Sequence, residues 1–322
     1  MNFNNKIWLK IRLVIFFLLI FLTGLYLGII IEKDGDQKKE RHETGYSLIS
    51  PLLECYTQKS DAPENTRIQK KVEQVIDEKT HNGSITNASV YFRDLGNGPW
   101  FGINEDEKFT PASLLKVSIL ISYYKMIEDN PSLLDNKFLA EDDYIPSATQ
   151  NIMPTREIEV GKEYSVKELL DLMITESSNH ATQILLKSLP ESQVNETYLD
   201  LGIEIPSLQN TENYMSVKDY SSFFRVLYNA SYLNKQYSEE ALELLSRSKY
   251  KKALVAGLPE DVLVAHKFGE REYNGLKQLH DCGIIYKQDK NYLLCVMTRG
   301  KDFNTLSSVI KDISKIVFDN VH

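Results

Sequence analysis

The chain is short of the residues that build metal sites and disulfide frameworks. Its three cysteines, Cys55, Cys282 and Cys295, have no zinc-ligand spacing, and its six histidines include no H-x-x-x-H pair. No metal and no cofactor are therefore predicted. Clustered positive charge is also missing. Phosphate binding needs concentrated Lys and Arg, and a net charge of −8 without a basic stripe excludes nucleic acid as a partner. There is no internal repeat and no low-complexity tract. What remains, 322 residues of which 42% are hydrophobic and 25% charged, is globular material for one large domain or two modest ones.

One long apolar run is present. Residues 13–31 carry no charge over about 19 residues, close to the ~20 a helix needs to cross the hydrocarbon core. Lys6, Lys10 and Arg12 precede it and Glu32, Asp34 and Asp36 follow, so 1–12 is expected to stay in the cytoplasm. A cleaved signal peptide is the competitor. No A-x-A site follows the run and no cysteine stands where lipidation needs one, which favours an uncleaved single-pass anchor. Residues 32–64 are charged and polar, with a short apolar interruption at 48–53, and read as an extracytoplasmic stalk. Residues 65–322 are the expected globular domain outside the membrane.

Within that domain, Ile68, Val72, Val75 and Ile76 make a helical stripe, and 88–95 with 100–103 read as a hairpin. From 117 to about 250 the patterns are helical, at 166–174, 179–189, 217–228 and 238–245. Three strands follow at 261–269, 280–286 and 291–298, then a stripe at Leu306, Val309, Ile310, Ile313, Ile316 and Val317 fit to cover a sheet face. Cys282 and Cys295 fall on adjacent expected strands; two separate buried thiols are expected, with a disulfide as the alternative. His266 and His280 are expected to pack in or beside the sheet.

The stretch 109–121 is read as a buried helix beginning at Pro111, capped by Thr110. Ser113 and Lys116 are its polar exceptions, and three residues apart they share a face, so the amine can take the hydroxyl proton. The spacing recurs at Ser246/Lys249, Ser248/Lys251 and Ser308/Lys311 on ordinary solvated faces. The start of an apolar helix, where N–H groups favour negative charge, sets Ser113 apart. Two later stretches complete a set. Ser177-Ser178-Asn179 offers a hydroxyl for proton relay and an amide for substrate, and Lys267-Phe268-Gly269 offers a cation for a carboxylate beside a glycine that admits substrate to the backbone.

In this order, Ser113-x-x-Lys116, Ser177-x-Asn179 and Lys267-x-Gly269 resemble the three motifs of penicillin-recognising serine enzymes, with the similarity closest to the class A β-lactamase catalytic domain. The resemblance implies an α+β fold of the β-lactamase/DD-peptidase type: a five-stranded antiparallel sheet flanked by terminal helices, with a helical subdomain inserted. It implies Ser113 as nucleophile, Lys116 as base, Ser177 as proton donor to the leaving nitrogen, Asn179 and Lys267 as substrate-binding groups, and an oxyanion hole from the backbone N–H groups of Ser113 and Glu270. The implied substrate is a β-lactam or a D-alanyl peptidoglycan peptide, met outside a bacterial cell membrane.

Three departures qualify this expectation. Ser178 replaces the usual aspartate, Phe268 replaces a hydroxyl residue that helps to bind a substrate carboxylate, and the deacylating glutamate has no clear counterpart. Glu196 mimics its signature but lies on an expected helix ahead of the loop, and Glu204 and Glu212 are weaker candidates. Acylation of Ser113 is therefore expected, and efficient β-lactam hydrolysis is not. A penicillin-binding sensor or other non-hydrolytic module of the same fold is the alternative.

Overall fold

The computed structural model describes residues 8, 12, 16, 18, 23, 45–51, 63–96, 98–144, 150–205, 212–288 and 290–321. The chain divides into two units, Met1–Glu40 and Arg41–His322. In the first, the expected anchor lies almost wholly outside the described residues; Phe16, Leu18 and Thr23 are helical and exposed. Among the described residues no helix is long and apolar enough to cross a membrane.

The second unit is built on one antiparallel sheet. Strands β1 (Ile85–Asp94), β2 (Trp100–Ile103), β7 (Leu263–Tyr273), β8 (Leu276–Tyr286) and β9 (Tyr292–Gly300) run in the order β2-β1-β9-β8-β7. Two short pairs accompany it: β3 (Lys108–Phe109) with β6 (Met215–Ser216), and β4 (Lys137–Leu139) with β5 (Glu163–Ser165). Eight helices are present among the described residues: α1 (Pro63–His81), α2 (Lys116–Asp129), α3 (Val166–Thr175), α4 (Asn179–Ser188), α5 (Glu191–Asp200), α6 (Val217–Tyr228), α7 (Lys235–Ser246) and α8 (Phe303–Asn320). This is the expected α+β architecture.

Both faces of the sheet are covered, which is why its strands read as apolar runs rather than alternating ones. On one face Ile68, Val72 and Ile76 of α1 and Val309, Ile313 and Val317 of α8 pack with Val90, Phe92, Leu294 and Val296. On the other, Leu120 and Ile121 of α2 and Phe223 and Phe224 of α6 pack with Ala265, Ile284 and Leu293. Each such side chain contributes ~1.5–3 kcal/mol when fully buried. Local chemistry sets the helix starts: Ser165 and Glu168 form a reciprocal capping box on α3, and Ser216, Asn234 and Asp302 cap α6, α7 and α8.

Three details differ from the sequence reading. The β7–β8 hairpin runs past 269 to a turn at Asn274-Gly275, both with positive φ (52° and 74°). Asn-Gly is the two-residue turn that matches strand twist, a signal the reading passed over. Cys282 and Cys295 are register partners on β8 and β9 and form a disulfide, so the expectation of two separate thiols is corrected. The described part of the expected stalk packs on the domain: Leu48 and Ile49 are buried, and the Glu239 carboxylate accepts from the amides of Ser47, Leu48 and Ile49. The apolar interruption at 48–53 is thus partly a docking segment.

Candidate active site

The nucleophile turn forms where β3 ends. Pro111 starts a 3-10 turn, Ala112–Leu115, with Ala112 at φ 51°, and α2 follows from Lys116. Thr110 does not cap the helix as expected. Its hydroxyl donates to Glu212 at 2.7 Å and its carbonyl accepts from His280 Nε2 at 3.0 Å, so Thr110 is held from both sides. Burial pushes His280 down to about 4, leaving it neutral and fit for this bond. From Val117 to Tyr124 every residue of α2 is buried, as the all-round apolar pattern predicts.

Gly269 explains how the edge strand meets this turn. A Cβ there would lie 2.5 Å from the Pro111 carbonyl oxygen and 3.0 Å from Leu114 Cγ. The glycine of the third motif therefore lets β7 close on the nucleophile turn itself, a role the sequence reading assigned to substrate approach. His266 and Asp281 pair beneath it at 2.8 Å, both fully buried, in the structural role expected for this histidine.

The second motif lies between α3 and α4. Ser177 has φ 57°, a strained conformation for a residue with a side chain, and Ser178 accepts from the Ala181 amide as the cap of α4. Serine at the departing position thus keeps a capping role. Glu176 holds the crossing segment by accepting from the Thr155 amide and hydroxyl and from Arg156 Nε.

The three motifs meet around the Lys116 amine. It lies 2.9 Å from Ser113 Oγ, 3.3 Å from Ser177 Oγ, 2.8 Å from the Ser177 carbonyl and 2.6 Å from Asn179 Oδ1. Burial lowers its pKa to about 7, partly opposed by the Glu270 charge. A lysine at that value is neutral often enough to accept a proton at physiological pH. Lys267 sits 2.9 Å from Ser177 Oγ and is driven well below its ordinary value, first by burial and then by the charge of Lys116. Ser177 therefore touches both amines.

A cavity of about 50 Å³ lies over Ser113, bounded by Ser177 and Asn179 on one side and by Gln150, Ile152, Phe268 and Glu270 on the other. Ser113 and Glu270, the expected oxyanion residues, both border it. The segment at 150–152 closes it: Asn179 Nδ2 donates to Gln150, and the amides of Asn151 and Ile152 donate to Glu270 Oε1. Gln150 and Ile152 were missed by sequence reasoning, because nothing in the local pattern ties 150–152 to motifs so far along the chain. Lys267, expected to hold a carboxylate, is wholly buried, its amine bound to Ser177 and the Phe268 carbonyl and 4.1 Å from the Phe268 ring centre. A larger cavity, about 970 Å³, lies along α3 and α7 but contains none of the motif residues, and its Arg156, Arg247 and Asp171 are paired with one another.

The glutamate candidates are accounted for. Glu196 on α5 and Glu204 face solvent, and Glu212 is tied to Thr110 and to Arg271. Among the described residues no carboxylate bonds to Lys116.

The fold, with half-buried Ser113 and buried Lys116 joined to a second serine and a second lysine at the seam of sheet and helices, is that of the penicillin-recognising serine hydrolase superfamily. The chain belongs to the beta-lactamase enzyme family, whose model matches residues 67–321. No curated protein matches the chain. Among solved structures it is similar to a β-lactamase from Chitinophaga pinensis DSM 2588, with a TM-score of 0.69 at 21% identity over 79% of this chain and 98% of that one. A β-lactamase from Sphaerobacter thermophilus DSM 20745 gives a TM-score of 0.68 at 19% identity, over 78% of this chain and 96% of that one. A point mutant of PBP-A, solved as an acyl-enzyme with penicillin G, gives 0.66 at 22% identity, over 79% and 96%.

Proposed function

We propose that this protein is a membrane-anchored serine acyl-transfer enzyme that forms an acyl-enzyme on Ser113 with a β-lactam or a D-alanyl peptidoglycan peptide. The observation that carries it is the 2.9 Å contact between Ser113 Oγ and an amine whose pKa is brought to about 7. Neutral Lys116 takes the Ser113 proton as Oγ bonds to the acyl carbon. The C–N bond then breaks, and the departing nitrogen receives a proton from Ser177, which Lys116 or Lys267 replaces. The backbone N–H groups of Ser113 and Glu270 hold the developing oxyanion, a role in which one lost donor typically costs about 10²–10³ in rate. The solved acyl-enzyme of PBP-A with penicillin G supports the substrate class. The uncharged run at 13–31 supports the anchor, with the domain outside the membrane.

Turnover is proposed to be slow. Lys116 bonds to hydroxyl, carbonyl and amide oxygens, the glutamates at 196 and 204 face solvent, and Glu270 is held by the amides of Asn151 and Ile152, so no carboxylate among the described residues hydrogen-bonds to Lys116. The same observation favours a second reading, a penicillin-binding sensor that holds its acyl group. Intact-mass analysis over time after adding a penicillin tests both. A stable adduct, lost in Ser113→Ala, is expected. Labelling that survives the substitution removes Ser113 from its role, and rapid hydrolysis of a chromogenic cephalosporin contradicts slow turnover.

A further inference from the structure

Glu270 has no part in the expected chemistry beyond its backbone amide, yet its side chain walls the cavity over Ser113. Its two oxygens differ. Oε1 accepts from the amides of Asn151 at 2.9 Å and Ile152 at 2.6 Å, which fixes the carboxylate in place. Oε2 is buried and has no hydrogen-bond partner among the described residues. A buried carboxylate oxygen left unpaired is costly, so a ligand that supplies a donor there is favoured and one that brings another carboxylate is repelled.

The groups that would draw a carboxylate are correspondingly weak. Lys267 lies beneath the cavity with its amine on Ser177 and the Phe268 carbonyl. Phe268, which stands where a hydroxyl residue is usual, stacks on Tyr250 at 4.2 Å between ring centres and offers no donor. Burial also holds both lysines toward their neutral forms. Among the described residues Glu270 is the one anionic side chain on the cavity wall, and the amine it is coupled to, Lys116, does not line that wall.

Resting on the proposed acyl-transfer function, we propose that Glu270 sets the substrate class: the site prefers acyl donors whose leaving side is blocked as an amide or ester, and disfavours those with a free carboxylate there. Among peptides this means an internal bond or an amidated end rather than a free C-terminal residue. Among β-lactams it means esters over free acids. Specificity of this kind comes from a repulsive element as much as from a new attraction.

The test compares one penicillin as its free acid and its methyl ester, following acylation of the full chain in detergent by intact mass, in wild type and in Glu270→Gln and Glu270→Ala. Each rate is divided by that for opening of the same compound's β-lactam ring by hydroxide in solution, which removes the difference in intrinsic reactivity. Wild type is expected to favour the ester, and both substitutions to shift the ester-to-acid ratio toward the acid by about tenfold or more. A ratio that stays the same in both variants overturns the inference, as does a shift toward the ester, which would mean that Glu270 helps to bind the carboxylate. Both of those results leave acylation of Ser113 standing. Absence of any adduct in wild type and variants, with folding verified by circular dichroism, overturns the acyl-transfer function and this inference with it.

Discussion

The pH dependence of acylation follows from the surroundings of one amine. An ordinary lysine with a pKa of 10.5 is neutral in about one molecule in 3,000 at pH 7. At about 7, Lys116 is neutral in half of them, a gain of base on the order of 10³. Because the neutral form is the one that takes the Ser113 proton, the rate rises with pH through the pKa. The neutral fraction climbs from about one tenth at pH 6 to about nine tenths at pH 8, so acylation by a single substrate should rise about tenfold over that interval and level off above it. The charge of Glu270 raises this pKa against the effect of burial, so Glu270→Gln should move the inflection to lower pH. Stopped-flow or quenched intact-mass rates from pH 5 to 9, in wild type and that variant, measure both effects. A rate that is flat across pH 6–8, or still rising toward 10, would refute Lys116 as the base. An inflection that moves upward in the variant would refute the assigned coupling.

Four other outcomes are expected. Gly269→Ala should abolish acylation and destabilise the fold by ~1–3 kcal/mol, since the new Cβ would meet the Pro111 carbonyl oxygen at 2.5 Å; intact mass and thermal unfolding read the two effects separately. Glu239→Ala leaves the amides of Ser47, Leu48 and Ile49 without their acceptor and should cost about 2–4 kcal/mol in denaturant unfolding, while Glu240→Ala on the same helix costs little. The Cys282–Cys295 bridge spans a sequence separation of 13, so its reduction should cost about 2–3 kcal/mol, and non-reducing peptide mapping should recover the linked pair. Glu196→Gln should leave both formation and lifetime of the acyl-enzyme unchanged, because the side chain faces solvent; a longer-lived adduct would restore Glu196 as the hydrolytic base.

How far the sequence discloses this molecule depends on the range of each interaction. The helices were legible where apolar spacing is regular, as at 166–174 and along Ile68, Val72 and Ile76. The three motifs were legible because their residue types are fixed by chemistry and each lies within four consecutive residues. Pairings set by distant parts of the chain were not. Thr110 looks locally like a cap, but its hydroxyl is taken by Glu212, 102 residues away. The apolar 48–53 looks like part of a tether until Glu239, about 190 residues on, gathers its amides. Residues 150–152 carry no motif and reach the site through distant partners, Glu270 accepting the N–H groups of Asn151 and Ile152 and Asn179 donating to Gln150.

The site also explains why two lysines are needed where one would suffice as a base. Two ammonium groups buried around one hydroxyl repel, and each is costly to desolvate; after burial, the charge of Lys116 is the next influence lowering Lys267. The pair therefore favours carrying a single proton, with Ser177 Oγ 3.3 Å from one amine and 2.9 Å from the other. A proton taken from Ser113 by Lys116 raises the cost of charge on Lys267 and so favours its passage through Ser177 to a leaving nitrogen. Under the proposed acyl transfer, Lys267 would act first as a proton partner of Ser177 and only secondarily as an anion anchor. In that arrangement a carboxylate at position 270 is tolerable: it offsets positive charge at Lys116 and does not have to compete with a substrate anion held by an exposed cation.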